Sequence, residues 1–360
     1  MRFGCACLVV FYHYFFFIGN VYPFNIGNYD LRFPIVGHIA SYGTLGVEMF
    51  FVISGFVIAY SSRDKTLRQF IRARALRLLP AYWVCCTLSY LAASISDYRT
   101  VEFKQYVLNL TLLQKLFYVK DLDGVYWTLI YELIFYAFVG LLILSKQIKR
   151  FEYALLLGLI WSAAFYIVDP AKTVAIERIR LITLQQFLCY FALGAMVFNI
   201  RAKGVTWLRV VVVGFSLVLA GYEIRQGFGL KNNLWAKIVD QPYNLMLSCV
   251  LFYLFFALLV FWVWKPPVFK HTKYVTALGN ASYPLYLLHG TCGYMLIEKL
   301  YPYMNKWVLI PLMMVCMMAI APLFYRYVEV PFRQLLAKDI SVLQVFTTAA
   351  KKRKKKSGRK

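Results

Sequence analysis

Negative charge is scarce in this chain: 16 Asp and Glu stand against 40 Lys and Arg in 360 residues, and only 16% of positions carry any charge. A soluble globule stays dispersed behind a densely charged, mixed-sign surface, and this composition cannot supply one. Also missing are a CxxC pair, a glycine-rich phosphate loop, an internal repeat and any stretch that would make a soluble domain. The eight cysteines, Cys5, Cys7, Cys85, Cys86, Cys189, Cys249, Cys292 and Cys316, all fall in apolar blocks. That placement favours helix packing over disulfides or metal ligation, so no metal site is expected. Chemistry here has to be assembled from side chains inside an apolar frame and from its short loops.

Apolar surface, in contrast, is abundant. Hydrophobic residues make up 61% of the chain and aromatics 18%, with a mean hydropathy of +0.61. They come in blocks of about 17 to 25 residues, the length a helix needs to cross a hydrocarbon core of about 30 Å. Ten such blocks lie near residues 3 to 18, 44 to 60, 79 to 96, 127 to 144, 153 to 168, 184 to 199, 207 to 223, 244 to 264, 278 to 297 and 307 to 325. The pattern predicts an all-α polytopic membrane bundle of about ten transmembrane helices. Residues 106 to 118 are too short and polar to cross and are expected at an interface. The first block has a basic residue ahead of an apolar stretch, as a signal peptide does. It lacks a small-residue cleavage site and runs on into aromatics, so it counts as a helix.

Lys and Arg also set the expected orientation. They concentrate in the second connection, "SSRDKTLRQFIRARALRLL", and in the tail "KKRKKKSGRK", which under the positive-inside rule places both termini in the cytoplasm. Residues 1–335 are then the integral-membrane domain and 336–360 a basic cytoplasmic tail. The net charge of +24 raises nucleic acid as a partner, but on a polytopic chain a basic tail is more simply a solvated segment close to anionic membrane lipid. No nucleic acid is expected.

The stretch "RFGCACLVVFYH" places an ionisable side chain at each end of an apolar run. Arg2 and His13 are eleven residues apart, about three turns at 3.6 residues per turn, so they leave the helix from one face. Arg2 stands at an interface and His13 about 16 Å deeper, near the midplane. An orienting arginine and an interhelical hydrogen-bonding histidine would account for them singly. Together they also make an anion-binding group and a proton acceptor on one track, and intramembrane ionisable residues mark functional pathways. The second block, "GTLGVEMFFVISGFVIAYSS", carries Glu48 near its outer end, with Gly43, Gly46, Ser54 and Gly55 as small surfaces for a close helix or a thin ligand. Beyond it Arg72, Arg74 and Arg77 fall within six residues, more than orientation needs, and guanidinium groups hold phosphate bidentately.

These segments bring the chain close to a known family. It resembles the integral-membrane acyltransferase 3 family, which O-acylates surface polysaccharides and related glycans. Arg2 to His13 is similar to that family's Arg-x10-His signature, with Phe3 where Gly is usual. "GVEMFFVISGF" from Gly46 resembles GVDxFFxxSGF, and "RARALRLLPAYW" from Arg72 resembles an RxxR run before Pro and an aromatic pair. "WTLIYELIFY" from Trp127 is similar to WSLxxExxFY, "GNASYPLYLLHG" from Gly279 to GxxSYxxYLxH, and "VEVPFR" from Val328 to a closing ExPxR. Each alone is weak; six in the family order are specific, and they span nearly the whole chain.

The resemblance implies transfer of an acyl group, commonly acetyl, from cytoplasmic acyl-coenzyme A to a sugar hydroxyl across a bacterial inner membrane. Acyl-CoA is then a donor substrate, with no tightly bound cofactor, and a carbohydrate is the acceptor. Arg2, Arg74 and Arg77 would hold the coenzyme phosphates, and Ser54 would line the channel for its thioester arm. His13 would act as general base or be acylated itself. Glu132 and Glu329 are catalytic candidates, and Glu48, Trp127 and His289 candidates for orienting imidazole or substrate. Acceptor specificity is expected in the outer connections, chiefly residues 19 to 43 and 97 to 126. A transporter or lipid-linked glycan flippase also fits ten helices with intramembrane charge, but it needs a wide polar path that so few polar residues would not line.

Overall fold

A computed structural model describes residues 1–20, 30–96, 100–168, 174–235, 242–265 and 273–338, and every regular element among them is helical. The basic tail expected beyond residue 338 lies outside the described residues. In chain order the helices are α1 (Arg2–Tyr12), α2 (Pro34–Ser41), α3 (Gly46–Ser62), α4 (Leu67–Ile95), α5 (Phe103–Asn109), α6 (Trp127–Leu144), α7 (Phe151–Val168), α8 (Val174–Ile182), α9 (Leu188–Lys203), α10 (Trp207–Trp235), α11 (Leu245–Trp264), α12 (Lys273–Leu288), α13 (Thr291–Leu300) and α14 (Lys306–Phe324). The protein is a helical membrane bundle.

Among the described residues, eight helical stretches are long and apolar enough to cross a membrane: Arg2–Asn20, Pro34–Ser62, Leu67–Ile95, Trp127–Leu144, Ile148–Val168, Trp207–Asn233, Leu245–Trp264 and Lys306–Lys338. Of the two remaining apolar blocks of the sequence, that near 184 to 199 forms α9 and that near 278 to 297 is broken at His289 and Gly290 into α12 and α13. Helix α9 is buried from Leu188 through Asn199, and a helix that is apolar all round belongs in a core. The segment expected to be too short to cross is the two-turn α5 followed by a 3-10 turn, Gln114–Phe117.

Local chemistry sets the helix starts. Thr66 Oγ1 accepts the Gln69 N–H at 3.3 Å while Gln69 Oε1 accepts the Thr66 N–H at 3.0 Å, a capping box that opens α4. Pro34 occupies the first turn of α2, where its missing N–H has no role, and Asn305 caps α14 by accepting the Trp307 N–H at 2.9 Å. Small residues set the crossings. A Cβ on Gly46 would stand 2.7 Å from the Cys5 carbonyl, and one on Gly43 would collide with the Leu8 carbonyl, so α1 lies directly on the start of α3. Gly55 faces the Phe191 carbonyl and Gly194 the Val52 carbonyl, with no room for a methyl on either. The small surfaces of the second block therefore serve close helix packing, and only Ser54 among them faces open space.

Two helices contain a π turn: His13–Phe17, which extends α1 toward Asn20, and Tyr325–Glu329, which extends α14 to residue 338. Such turns shift the side-chain phase by a residue and recur at functional sites. Here they carry His13 and Glu329.

Candidate functional site

At the Arg2 end of α1, a cavity of about 250 Å³ is lined by Arg2, Arg74, Arg77 and Arg333 together with Ser54, Glu132 and Tyr283. Glu132 is anchored by two donors, Ser54 Oγ at 2.7 Å and Tyr136 OH at 2.5 Å. Arg77 Nη1 pairs with Glu329 Oε1 at 3.2 Å, and Glu329 is fully buried. Arg74 stands over the Tyr136 ring at 5.6 Å, and Arg77 over that of Tyr283 at 5.4 Å. The Nε atoms of Arg2 and Arg74 are buried and have no acceptor, although a guanidinium carries five donors and no acceptor of its own. Among the described residues neither arginine forms an ion pair. Four arginines face one lining carboxylate, a distribution complementary to an anion. Arg72 is not part of it; its Nη2 donates to the Ala337 carbonyl at 3.0 Å.

From Arg2, Ser54, Glu132 and Tyr283 the space continues into a slot of about 40 Å³ bounded by Val47, Phe50, Thr128 and Tyr286. Tyr286 donates to the Val125 carbonyl at 2.8 Å, and its ring lies 5.7 Å from that of His289. The slot is small, and its lining is mostly apolar.

Past Tyr286 two histidines meet. The His13 and His289 rings are edge to face at 4.9 Å. His13 Nδ1 is 2.5 Å from Tyr294 OH. His289 is fully buried, its Nδ1 lies 3.2 Å from the Leu285 carbonyl, and its Nε2 is buried without a partner. With Nδ1–H donating to that carbonyl, Nε2 is a bare lone pair. Tyr14 OH donates to the His289 carbonyl at 2.9 Å.

The sequence pattern did not single out Asp123, which is buried beside this pair. Its Oδ2 accepts the Thr291 N–H at 2.6 Å and Ser89 Oγ at 3.4 Å, and its Oδ1 accepts the Val125 N–H at 3.1 Å. It lies so close to Gly290 that a Cβ there would collide with it. Asp123 thus pins the turn that follows His289. Lys231, deep in α10, was also missed. It donates to Thr44 Oγ1 at 3.2 Å, stands over the Phe228 ring at 4.7 Å, and is the electrostatic partner of Glu48.

The expected site residues therefore separate into groups. Arg2, Ser54, Arg74, Arg77 and Glu132 come together around the arginine cavity, and Glu329 joins them through Arg77. His13 and His289 come together three turns away. Glu132 and Glu329 hydrogen-bond Ser54, Tyr136 and Arg77 rather than an imidazole, and Glu48 Oε2 is buried without a hydrogen-bond partner. Trp127 stands in an aromatic cluster, 5.8 Å from Tyr131 and 5.6 Å from Phe187, with Lys115 over its ring at 5.7 Å.

Comparison with known proteins bears on the same region. The acyltransferase 3 family model, described as an acyltransferase domain, matches residues 1–326. The exopolysaccharide production protein ExoZ of Rhizobium meliloti (strain 1021) is 28% identical over an alignment of 271 positions that covers 70% of this chain and 77% of that relative. No solved structure matches the chain.

Proposed function

This chain belongs to the acyltransferase 3 family, and from that premise we propose that it moves an acyl group, acetyl in the simplest case, from cytoplasmic acyl-coenzyme A to a hydroxyl of an exopolysaccharide or its lipid-linked precursor. The observation that carries the reading is the order along the first helix of an arginine cavity, a small slot that shares Arg2, Ser54, Glu132 and Tyr283 with it, and a histidine pair. Coenzyme A has the matching shape, phosphate-rich at one end with its thioester on a long thin arm. The 16 Å rise from Arg2 to His13 spaces the two ends of the track as that arm requires.

In this reading Arg2 and Arg74 hold phosphate with their unfilled donors, while Arg77 is kept in place by Glu329. Glu132 fixes Ser54 and Tyr136 at the foot of the slot. His13, with Nδ1–H turned toward Tyr294, offers Nε2 to the acceptor hydroxyl. The imidazole takes the hydroxyl proton as the oxygen attacks the thioester carbonyl. The new C–O ester bond forms, the C–S bond breaks, and the proton passes from the imidazolium to the leaving thiolate. His289 packs against the same ring and limits its orientations. A glycan flippase would need a wide polar path, and the slot beyond the arginine cavity is small and mostly apolar, so transfer is preferred to transport.

Membranes containing the protein, incubated with acetyl-coenzyme A labelled in the acetyl group, should place label in the glycan. Glycan crossing the membrane with no label incorporated would overturn the reading.

A further inference from the structure

A second cavity, of about 430 Å³, opens at the other end of the first helix. Phe16, one turn beyond His13, and Asn20 form its inner wall. Its volume lies within the range of about 300 to 1,000 Å³ of small-molecule sites, and two kinds of surface meet in it. One is aromatic: Phe33 and Trp307 cross edge to face at 4.8 Å, Phe33 buried and Trp307 55% exposed, so the indole presents a bare face. The other is charged: Lys306 Nζ donates to Asp30 Oδ2 and to the Arg32 carbonyl, both at 3.0 Å, and Arg32 Nε donates to Asp30 Oδ1 at 3.3 Å. The side chains of Asp30 and Arg32 remain 59% and 60% exposed, with hydrogen-bonding capacity to spare. The Lys306 hydrogen bond, and after it the Arg32 N–H, hold the Asp30 carboxyl below the usual carboxylate range, so it is an ionised acceptor at neutral pH.

A pyranose ring has an apolar C–H face and a rim of hydroxyls that both donate and accept. An indole face beside a carboxylate, an ammonium and a guanidinium is the complement of that shape, since amphipathic rings supply contact area and charged groups make the stronger hydrogen bonds to hydroxyls. A lipid tail would have to desolvate three charges here, and a simple anion would meet Asp30 and gain nothing from Trp307. We propose that this outer cavity is the acceptor site, seating one sugar ring of the glycan against Trp307 with its hydroxyls on Asp30, Arg32 and Lys306. The inference rests on the glycan-acyltransferase reading above and adds the place where the glycan is held. Donor and acceptor then approach the histidine pair from opposite ends of one helix, and neither has to pass the other.

The full-length protein in nanodiscs, titrated calorimetrically with oligosaccharides from chemically deacylated exopolysaccharide, tests this directly. Trp307→Ala and Asp30→Asn should each weaken oligosaccharide binding about tenfold or more. Trp307→Phe should recover part of the loss, and every variant should keep its acyl-coenzyme A affinity, which certifies the fold. Equal binding by wild type, Trp307→Ala and Asp30→Asn would overturn the site, and so would a wild type that does not bind the oligosaccharide. Oligosaccharide bound at this cavity but never labelled from acyl-coenzyme A would instead overturn the transfer reading and leave the site standing.

Discussion

Asp123 accepts two backbone N–H groups and the Ser89 hydroxyl while lying against Gly290, so one carboxylate ties its own loop to the turn that follows His289. Exchanging it for Asn places an amide donor among groups that are themselves donors, and Gly290→Ala pushes a methyl into the carboxylate. Both changes should lower turnover about ten- to a hundredfold, the scale on which a slightly misplaced catalytic group acts, while the KM for acyl-coenzyme A moves less than twofold. Steady-state kinetics would show it, and unchanged turnover in both variants would make Asp123 a loop anchor with no bearing on the histidines. His13 and Arg2 were legible because helical spacing alone puts them on one face. Asp123 was not, because it sits in a loop and its principal partner is 168 residues away in sequence. Glu132 was legible as an intramembrane acid, but its partner Ser54 lies 78 residues earlier, so nothing in the local pattern distinguished a phosphate-end anchor from an imidazole partner.

Among elements, the crossing of α3 and α9 is the least forgiving. Gly194 lies on the Val52 carbonyl and Gly55 on that of Phe191, backbone contacts that no rotamer change can relieve. Gly194→Val should therefore destabilise the bundle by about 1 to 3 kcal/mol or more, as overpacking does, read as a lowered midpoint of thermal unfolding in detergent. Gly214→Ala is the control, since nothing lies near that Cβ position, and it should leave the midpoint nearly unchanged. Equal midpoints for Gly194→Val and wild type would mean that the helices separate more readily than their packing indicates. Block length and hydropathy announced the helices themselves, α6 from Trp127 to Leu144 among them. They did not announce the break at His289 and Gly290 between α12 and α13, because a turn buried inside the bundle shares the apolar setting of the helices it joins. The π turn at His13 was hidden for a related reason, since its extra residue changes which neighbours meet but not the apolar pattern.

Over the whole molecule, the arginine cavity and the outer cavity sit at opposite ends of the first helix with the histidine pair between them. In the proposed orientation, the basic connection ahead of α4 and the positive-inside rule place the arginine end in the cytoplasm. A cysteine introduced at position 68 in a cysteine-free background should be labelled by an impermeant maleimide only after the membrane is opened; labelling in intact cells would reverse the axis and remove the arginines from the coenzyme. The most direct test of the account separates the two ends of "RFGCACLVVFYH" by kinetics on purified protein in nanodiscs. His13→Ala should abolish transfer while leaving acyl-coenzyme A affinity nearly intact, because the imidazole acts at the reacting centre. Arg2→Ala should weaken acyl-coenzyme A binding by about 1.5 to 3 kcal/mol, the worth of a charged hydrogen bond, and partly spare turnover at saturating donor. Arg2→Lys, which keeps the charge but loses the planar fork, should insert normally and fall between the two. Near-normal transfer by His13→Ala, or undiminished donor affinity in Arg2→Ala, would contradict the account.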